Sequence, residues 1–395
     1  MRGSVLPVAR YSRAVKRLQW ANALRGIAAL IVLGYHFSVA FWMSQDVSAS
    51  LARRTPLYPG DDGAPVWARA ISALPVDLAA LGVALFFLLS GFVISISLDR
   101  YSRAGFVVGR AMRLLPTYAA GYLITCLTIA AMSDPGDELH AGSVLLGSVP
   151  GLAYLVRASA PGDGIVWTLI VELVFYGVCV VAFRRLTTRW WAIAAVAAGC
   201  ALVQTLLPHL PSAAWAEGIR FVVLLACPFI PVMLVGVTLF VHRAGRLRRG
   251  PAVVLVLALV AEFVVLASTT PVVPTSWKYR LTFVGAVGVF SAVAAVGDRW
   301  SNPGRGLGFL AAISYPLYVV HPVLGYALIS WLAGRGVWGP LAVLIAGAAA
   351  IGCATAIHLA VEKPTHHLGR RWAGRTRTAP TGNGAGPHEL AGVGS

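Results

Sequence analysis

About ten runs of roughly 20 apolar residues divide this sequence, and they decide what the chain can fold into. Their bounds are near 25–44, 77–98, 115–133, 165–183, 190–208, 220–241, 251–269, 280–297, 308–333 and 337–361. A bilayer-crossing helix needs about 20 such residues. In lipid, a helix satisfies its own backbone hydrogen bonds. The expected fold is all-α: a polytopic membrane protein with about ten transmembrane helices. Composition agrees, with 58% hydrophobic and only 12% charged residues, where soluble domains average about a quarter charged. The five cysteines all fall inside apolar runs and none forms a CxxC pair. They read as small buried apolar residues, with neither a disulfide nor a metal site expected.

The formal net charge is +17. A nucleic-acid partner is not expected, because the basic residues sit in short clusters between apolar runs, as they do in cytoplasmic membrane loops. With ten spans and an inside N-terminus, the cytoplasmic segments hold 24 of the 32 basic residues and the opposite side holds 8. Both termini are then cytoplasmic and the protein sits in the cell membrane. An eleventh run, 139–156, is interrupted by Gly142, Gly147, Pro150 and Gly151. If it spanned, "RRLTTR" and "HRAGRLRR" would face outward, against the positive-inside rule. It is therefore expected to be re-entrant or interfacial. The first run is longer than a signal-peptide core and is read as a retained span. The expected organisation is a basic N-terminal segment (1–24), a membrane domain (25–368) and a disordered cytoplasmic tail (376–395).

Ionisable groups at bilayer depth are costly, so each is a functional candidate. Here they are His36, Glu172, Glu262, His321 and His358. Eleven residues separate Arg25 from His36. In a helix this is about 16 Å, with both side chains on nearly one face. The first helix thus presents a cation at its cytoplasmic mouth and a titratable imidazole near its middle. Glu172 and His321 fall at comparable depth in their own spans, and a carboxylate that orients an imidazole is a common way to build a general base. Arg110 and Arg113, three apart at a cytoplasmic helix end, suit phosphate binding, although taken alone such a pair is better explained by ordinary snorkelling. Glu262 and His358 have no evident partner and are read as structural.

Several segments together carry a family resemblance. They are "LRGIAAL" followed by His36, "GVALFFLLSGFVIS" (82–95), "RAMRLLPTY" (110–118), "WTLIVELVFYG" (167–177), "SYPLYVVHP" (314–322) and "VEKP" (361–364). In this order the chain resembles the acyltransferase-3 family of integral membrane O-acyltransferases from Leu24 to about Leu368. The resemblance implies transfer of an acyl group, commonly acetyl, from acyl-CoA as co-substrate. The hydroxyl acceptor would be a sugar, polysaccharide, glycolipid or macrolide-like natural product. It further implies catalytic roles for His36 and Glu172 and coenzyme A contacts by Arg25, Arg110 and Arg113. Ser90, Tyr318 and His321, inside the matching segments, are expected to bind substrate. Asn22 and Ala84 stand where relatives often carry aspartate, so Glu172 is the expected group to orient His36. The competing expectation is a proton-coupled transporter using the same His and Glu groups. It predicts internal repeats with broken helices in matching positions, and no such repeat is evident.

Overall fold

The structure is a computed structural model that describes residues 19–375 apart from 59–62, 137–138, 157–163, 165, 212, 214–215, 271, 273–274 and 298–303. Most of the basic N-terminal segment and the tail 376–395 therefore lie outside the described residues. Every regular element among the described residues is helical. In chain order the helices are α1 (Gln19–Met43), α2 (Gln45–Ala52), α3 (Val66–Ser72), α4 (Leu78–Arg100), α5 (Arg103–Met132), α6 (Ala141–Gly147), α7 (Leu152–Leu155), α8 (Val166–Ala182), α9 (Arg185–Thr188), α10 (Trp190–Leu206), α11 (Glu217–Ala226), α12 (Ile230–Arg243), α13 (Arg249–Thr269), α14 (Trp277–Val296), α15 (Gly304–Ala333), α16 (Gly339–Ile357) and α17 (Lys363–Arg375). Two π-helical turns interrupt the series: His36–Ala40 inside α1, and His358–Glu362 between α16 and α17.

Among the described residues, eight helices are long and apolar enough to cross a membrane, or nine if α11 and α12, bent by 47° at their junction, form one span. The remaining run is α8, which at 17 residues is short for a span. The chain is thus a multi-pass all-α membrane protein. Hydropathy located these runs but missed how far the polar ends extend them. Arg103 to Leu114 precedes the apolar run 115–133, yet it forms the first turns of the 30-residue α5, because Ser102 caps the helix by accepting from the Gly105 amide at 3.0 Å.

Loops separated by an even number of runs meet at the same end of the bundle. At one end, Asp134 after α5 accepts from the Thr55 amide and hydroxyl, 2.6 Å each, and pairs with Arg54 at 3.9 Å. There too, Lys278 donates to the Ser72 carbonyl at 2.8 Å. At the other end, Asp99 in the last turn of α4 pairs with Arg246 at 2.7 Å and accepts from Thr187 at 2.7 Å. Segment 141–155 forms two short helices instead of a span. Tyr118, halfway along α5, donates to the Gly147 carbonyl at 2.9 Å. The segment therefore folds inward against protein, which is where irregular backbone at depth is tolerated.

Small residues set the helix spacing, as expected where lipid supplies no hydrophobic drive between helices. A methyl on Gly91 of α4 would stand 1.8 Å from the Met233 carbonyl oxygen of α12, and one on Gly236 would stand 2.2 Å from that of Leu88. Backbones touch there, and only glycine permits it. Ala342, Ala346, Ala350 and Ala354 form a fully buried i, i+4 stripe on α16, the helix that packs along α15.

Candidate active site

α1, α4, α5, α8 and α15 surround a slot of about 100 Å³. Its polar lining is Arg25 from α1, Ser90 from α4, Arg110, Arg113 and Tyr118 from α5, Thr168, Glu172 and Tyr176 from α8, and Ser314, Tyr315 and Tyr318 from α15. Helical periodicity explains the grouping. Arg110 and Arg113 are one turn apart on α5, as are Thr168, Glu172 and Tyr176 on α8.

One carboxylate faces three guanidinium groups here. Glu172 Oε1 accepts from the Tyr176 hydroxyl at 2.6 Å and from Ser90 at 3.1 Å. Arg110 donates to Ser97 Oγ at 2.6 Å and lies over the rings of Tyr176 and Phe106, 5.5 and 5.7 Å from their centroids. The Arg25 and Arg113 guanidinium groups have no hydrogen-bond or ion-pair partner among the described residues. Surplus half-buried cations with unused donors make this cavity an anion site in waiting. α17 packs against the start of α5 and brings His366 within electrostatic reach of Arg113 and Arg110. Sequence reasoning missed that contribution, because α17 follows the last apolar run and reads as a plain basic tail.

His36 and His321 form a second group. His36 Nδ1 lies 2.7 Å from His321 Nε2, with ring centroids 4.9 Å apart and planes inclined by 23°, so the rings meet edge to edge. His321 is 1% exposed, while His36 is half-buried, so His36 is the ring of the pair that a ligand can reach. Its position opens a π turn, a feature often found at functional sites. Within that turn the Trp42 indole donates to the Phe37 carbonyl at 3.0 Å. His321 Nδ1 lies 3.0 Å from the Leu317 carbonyl and 2.9 Å from that of Tyr318.

The expected site residues therefore assemble, but into two groups. Arg25, Arg110, Arg113, Glu172, Ser90 and Tyr318 line the slot, whereas His36 and His321 pair beside it. Glu172 is not the group that orients His36. Its hydrogen bonds go to Ser90 and Tyr176, and the partner of His36 is His321. Tyr318 belongs to both groups. Its hydroxyl lies 2.5 Å from Thr168 Oγ1 in the slot, and its ring stands 5.8 Å from His321. Of the residues read as structural, His358 does have a partner: its Nδ1 lies 2.6 Å from the buried Glu362 carboxylate across the second π turn. Glu262 keeps one carboxyl oxygen buried without a partner among the described residues.

The sequence matches the acyltransferase-3 family, described as an acyltransferase domain, over residues 18–359. Acyltransferase MdmB of Streptomyces mycarofaciens is 29% identical over 394 residues, covering 90% of this chain and 94% of that protein. No solved structure matches the chain. A slot of surplus arginines beside a membrane-buried histidine pair, on a chain whose match runs through nearly every span, makes this protein a multi-pass membrane acyltransferase of the acyltransferase-3 family.

Proposed function

We propose that the protein transfers an acyl group, acetyl in the first instance, from acyl-CoA to a hydroxyl of a carbohydrate, glycolipid or natural-product acceptor, with His36 as general base. The observation that carries this reading is the pair of unpartnered guanidinium groups, Arg25 and Arg113, in a slot beside a reachable imidazole. Coenzyme A is a polyanion joined to a long, thin arm. Guanidinium groups bind its phosphates bidentately. Arg25 and His36 lie about 16 Å apart along α1, so the arm spans from the cation cluster to the imidazole. Tyr318, hydrogen-bonded to Thr168 and 5.8 Å from the His321 ring, links the slot to the histidine pair.

In the transfer, His36 Nε2 takes the acceptor O–H proton as that oxygen bonds to the thioester carbonyl carbon. Collapse of the tetrahedral intermediate breaks the C–S bond. The departing thiolate takes the proton back from His36, so the enzyme ends unchanged. Glu172 holds Ser90 and Tyr176 in place and balances part of the arginine charge. Membrane orientation follows the arginines: coenzyme A is cytoplasmic, so the Arg110 end and both termini face the cytoplasm.

The test uses purified protein in lipid nanodiscs with acetyl-CoA. Free thiol should appear only when a hydroxyl acceptor is present, and His36→Gln should remove that release. Acceptor-dependent thiol release undiminished in folded His36→Gln sinks the base assignment. Orientation is tested separately. All native cysteines are at least partly buried, so an impermeant maleimide should label Pro135→Cys and not Ser102→Cys in intact cells. The opposite labelling sinks the orientation.

A further inference from the structure

Pro322 has no amide hydrogen. Four residues earlier in α15, the Tyr318 carbonyl therefore lacks the donor that a helix would normally supply. The structure fills the vacancy with a side chain: His321 Nδ1 lies 2.9 Å from that carbonyl and 3.0 Å from the Leu317 carbonyl. A carbonyl oxygen only accepts. His321 Nδ1 must therefore carry the hydrogen, and a neutral His321 then has a bare Nε2.

That bare nitrogen lies 2.7 Å from His36 Nδ1. For the pair to be hydrogen-bonded, His36 must donate from Nδ1. Its Nε2 is then the unprotonated atom, the one with a lone pair for a substrate proton. We propose that Pro322, the Tyr318 carbonyl and His321 form a tautomer lock that holds His36 with Nδ1 protonated and Nε2 bare, making His321 a positioning residue and not a substrate contact. The lock rests on the reading of His36 as the base and explains how that base is prepared without a carboxylate.

It also accounts for the charge that follows. When His36 accepts a proton at Nε2, the imidazolium Nδ1–H keeps its bond to His321 Nε2. His321 in turn keeps its bonds to two carbonyls. A chain of hydrogen bonds in a low-dielectric interior polarises along its length, so the new charge spreads toward the Leu317 and Tyr318 carbonyl dipoles. The groups facing the pair are the phenols of Tyr326, with its ring 6.4 Å from His36, of Tyr318, 5.8 Å from His321, and of Tyr35, 5.9 Å from His36. None is a carboxylate, so the lock substitutes backbone dipoles for the acid of an acid–histidine pair.

The test combines kinetics with nitrogen-15 spectra of histidine-labelled protein, the His36 signals being assigned by their loss in His36→Gln. In the wild-type protein His36 should be a single tautomer with hydrogen on Nδ1. His321→Leu, which removes the acceptor, should mix the tautomers and lower kcat by about 100-fold, the scale of a misplaced catalytic group, with KM for acetyl-CoA unchanged. His321→Gln, whose side-chain oxygen can accept in place of Nε2, should recover much of that loss. Pro322→Ala restores an amide at position 322 and should give a smaller fall in kcat with partial tautomer mixing. Hydrogen on His36 Nε2 in the resting wild-type protein overturns the lock, even if His321→Leu fails to fold. So does an unchanged kcat in folded His321→Leu. Activity surviving in His36→Gln would instead remove the base reading, and the resting tautomer would still be readable from the wild-type spectrum.

Discussion

The arginine slot and the histidine pair share α1 and α15, touch through Tyr318, and are built on opposite principles. The slot concentrates charge: three guanidinium groups against one carboxylate, with hydroxyls rather than arginines on the Glu172 oxygen. The pair carries no formal charge when both rings are neutral, and its partners are an imidazole and two backbone carbonyls. A cluster with unused donors binds an anion without changing protonation. A neutral pair with one reachable ring moves a proton and offers little binding energy to a charged donor. The contrast separates affinity from chemistry along a single helix, and the experiments that follow attack that separation.

The largest effect belongs to the pair. His36→Gln keeps size and hydrogen bonding but removes a usable base, so kcat should fall by about 10²–10⁴-fold. Acyl-CoA affinity, measured by equilibrium binding, should stay near wild type. A comparable loss of affinity would show that the two regions are one. Next comes the slot. Losing one charge-assisted contact costs about 1.5–3 kcal/mol, so Arg113→Ala should weaken acyl-CoA binding by roughly 10- to 100-fold. The loss should narrow at high salt, while kcat at saturating donor stays within a few-fold of wild type. A salt-insensitive result would return Arg113 to a packing role.

Tyr318→Phe sharpens the comparison at the boundary. It deletes the bond to Thr168, a neutral hydrogen bond with a net contribution of about 0.5–1.5 kcal/mol. Because Tyr318 faces both regions, its removal should shift kcat and KM together by a few-fold. A change confined to one parameter would assign the residue to one side. The smallest effect lies away from both regions. Asp134 has its carboxyl held below the usual carboxylate range by hydrogen bonds from Thr55, with Arg54 contributing. A carboxylate depressed in the folded state stabilises above its unfolded value, near 3.9, and that contribution fades as pH falls through the lower folded value. Melting curves of Asp134→Asn and wild type should therefore differ slightly at neutral pH and converge in strong acid. A gap that persists there would mean Asn fails for a reason other than charge.

Hydropathy made the fold legible because a span declares itself by length alone. It was less informative where structure depends on contacts between runs. The bend between α11 and α12 and the inward fold of 141–155 depend on partners elsewhere in the chain, such as Tyr118 reaching Gly147. The slot's residues were legible as ionisable or polar groups in apolar runs. Their division was not, because equal depth in separate helices says nothing about which faces meet. Glu172, read at the depth of His36, instead joins Arg25 in the slot, and the two residues bond to different partners. The partner of His358 was within reach of inspection: Glu362 is four residues on, inside the quoted "VEKP". Hydropathy does not flag that glutamate, because it falls just past the last apolar run.

The π turn at His36–Ala40 constrains how this chain can change length. A turn bonded i to i+5 holds about one residue more than an α turn. Deleting Ser38 would let the helix close into regular α geometry at little local cost. The spacing from Arg25 to His36 would survive, since both precede the deletion. Because the π turn already holds the extra residue, Phe41 and Trp42 would keep facing the Tyr326 and Trp67 rings they now meet at 5.8 and 5.6 Å. In this helix one residue of length is stored in a single turn, and its loss would change the geometry at His36 while leaving the packing beyond it in register.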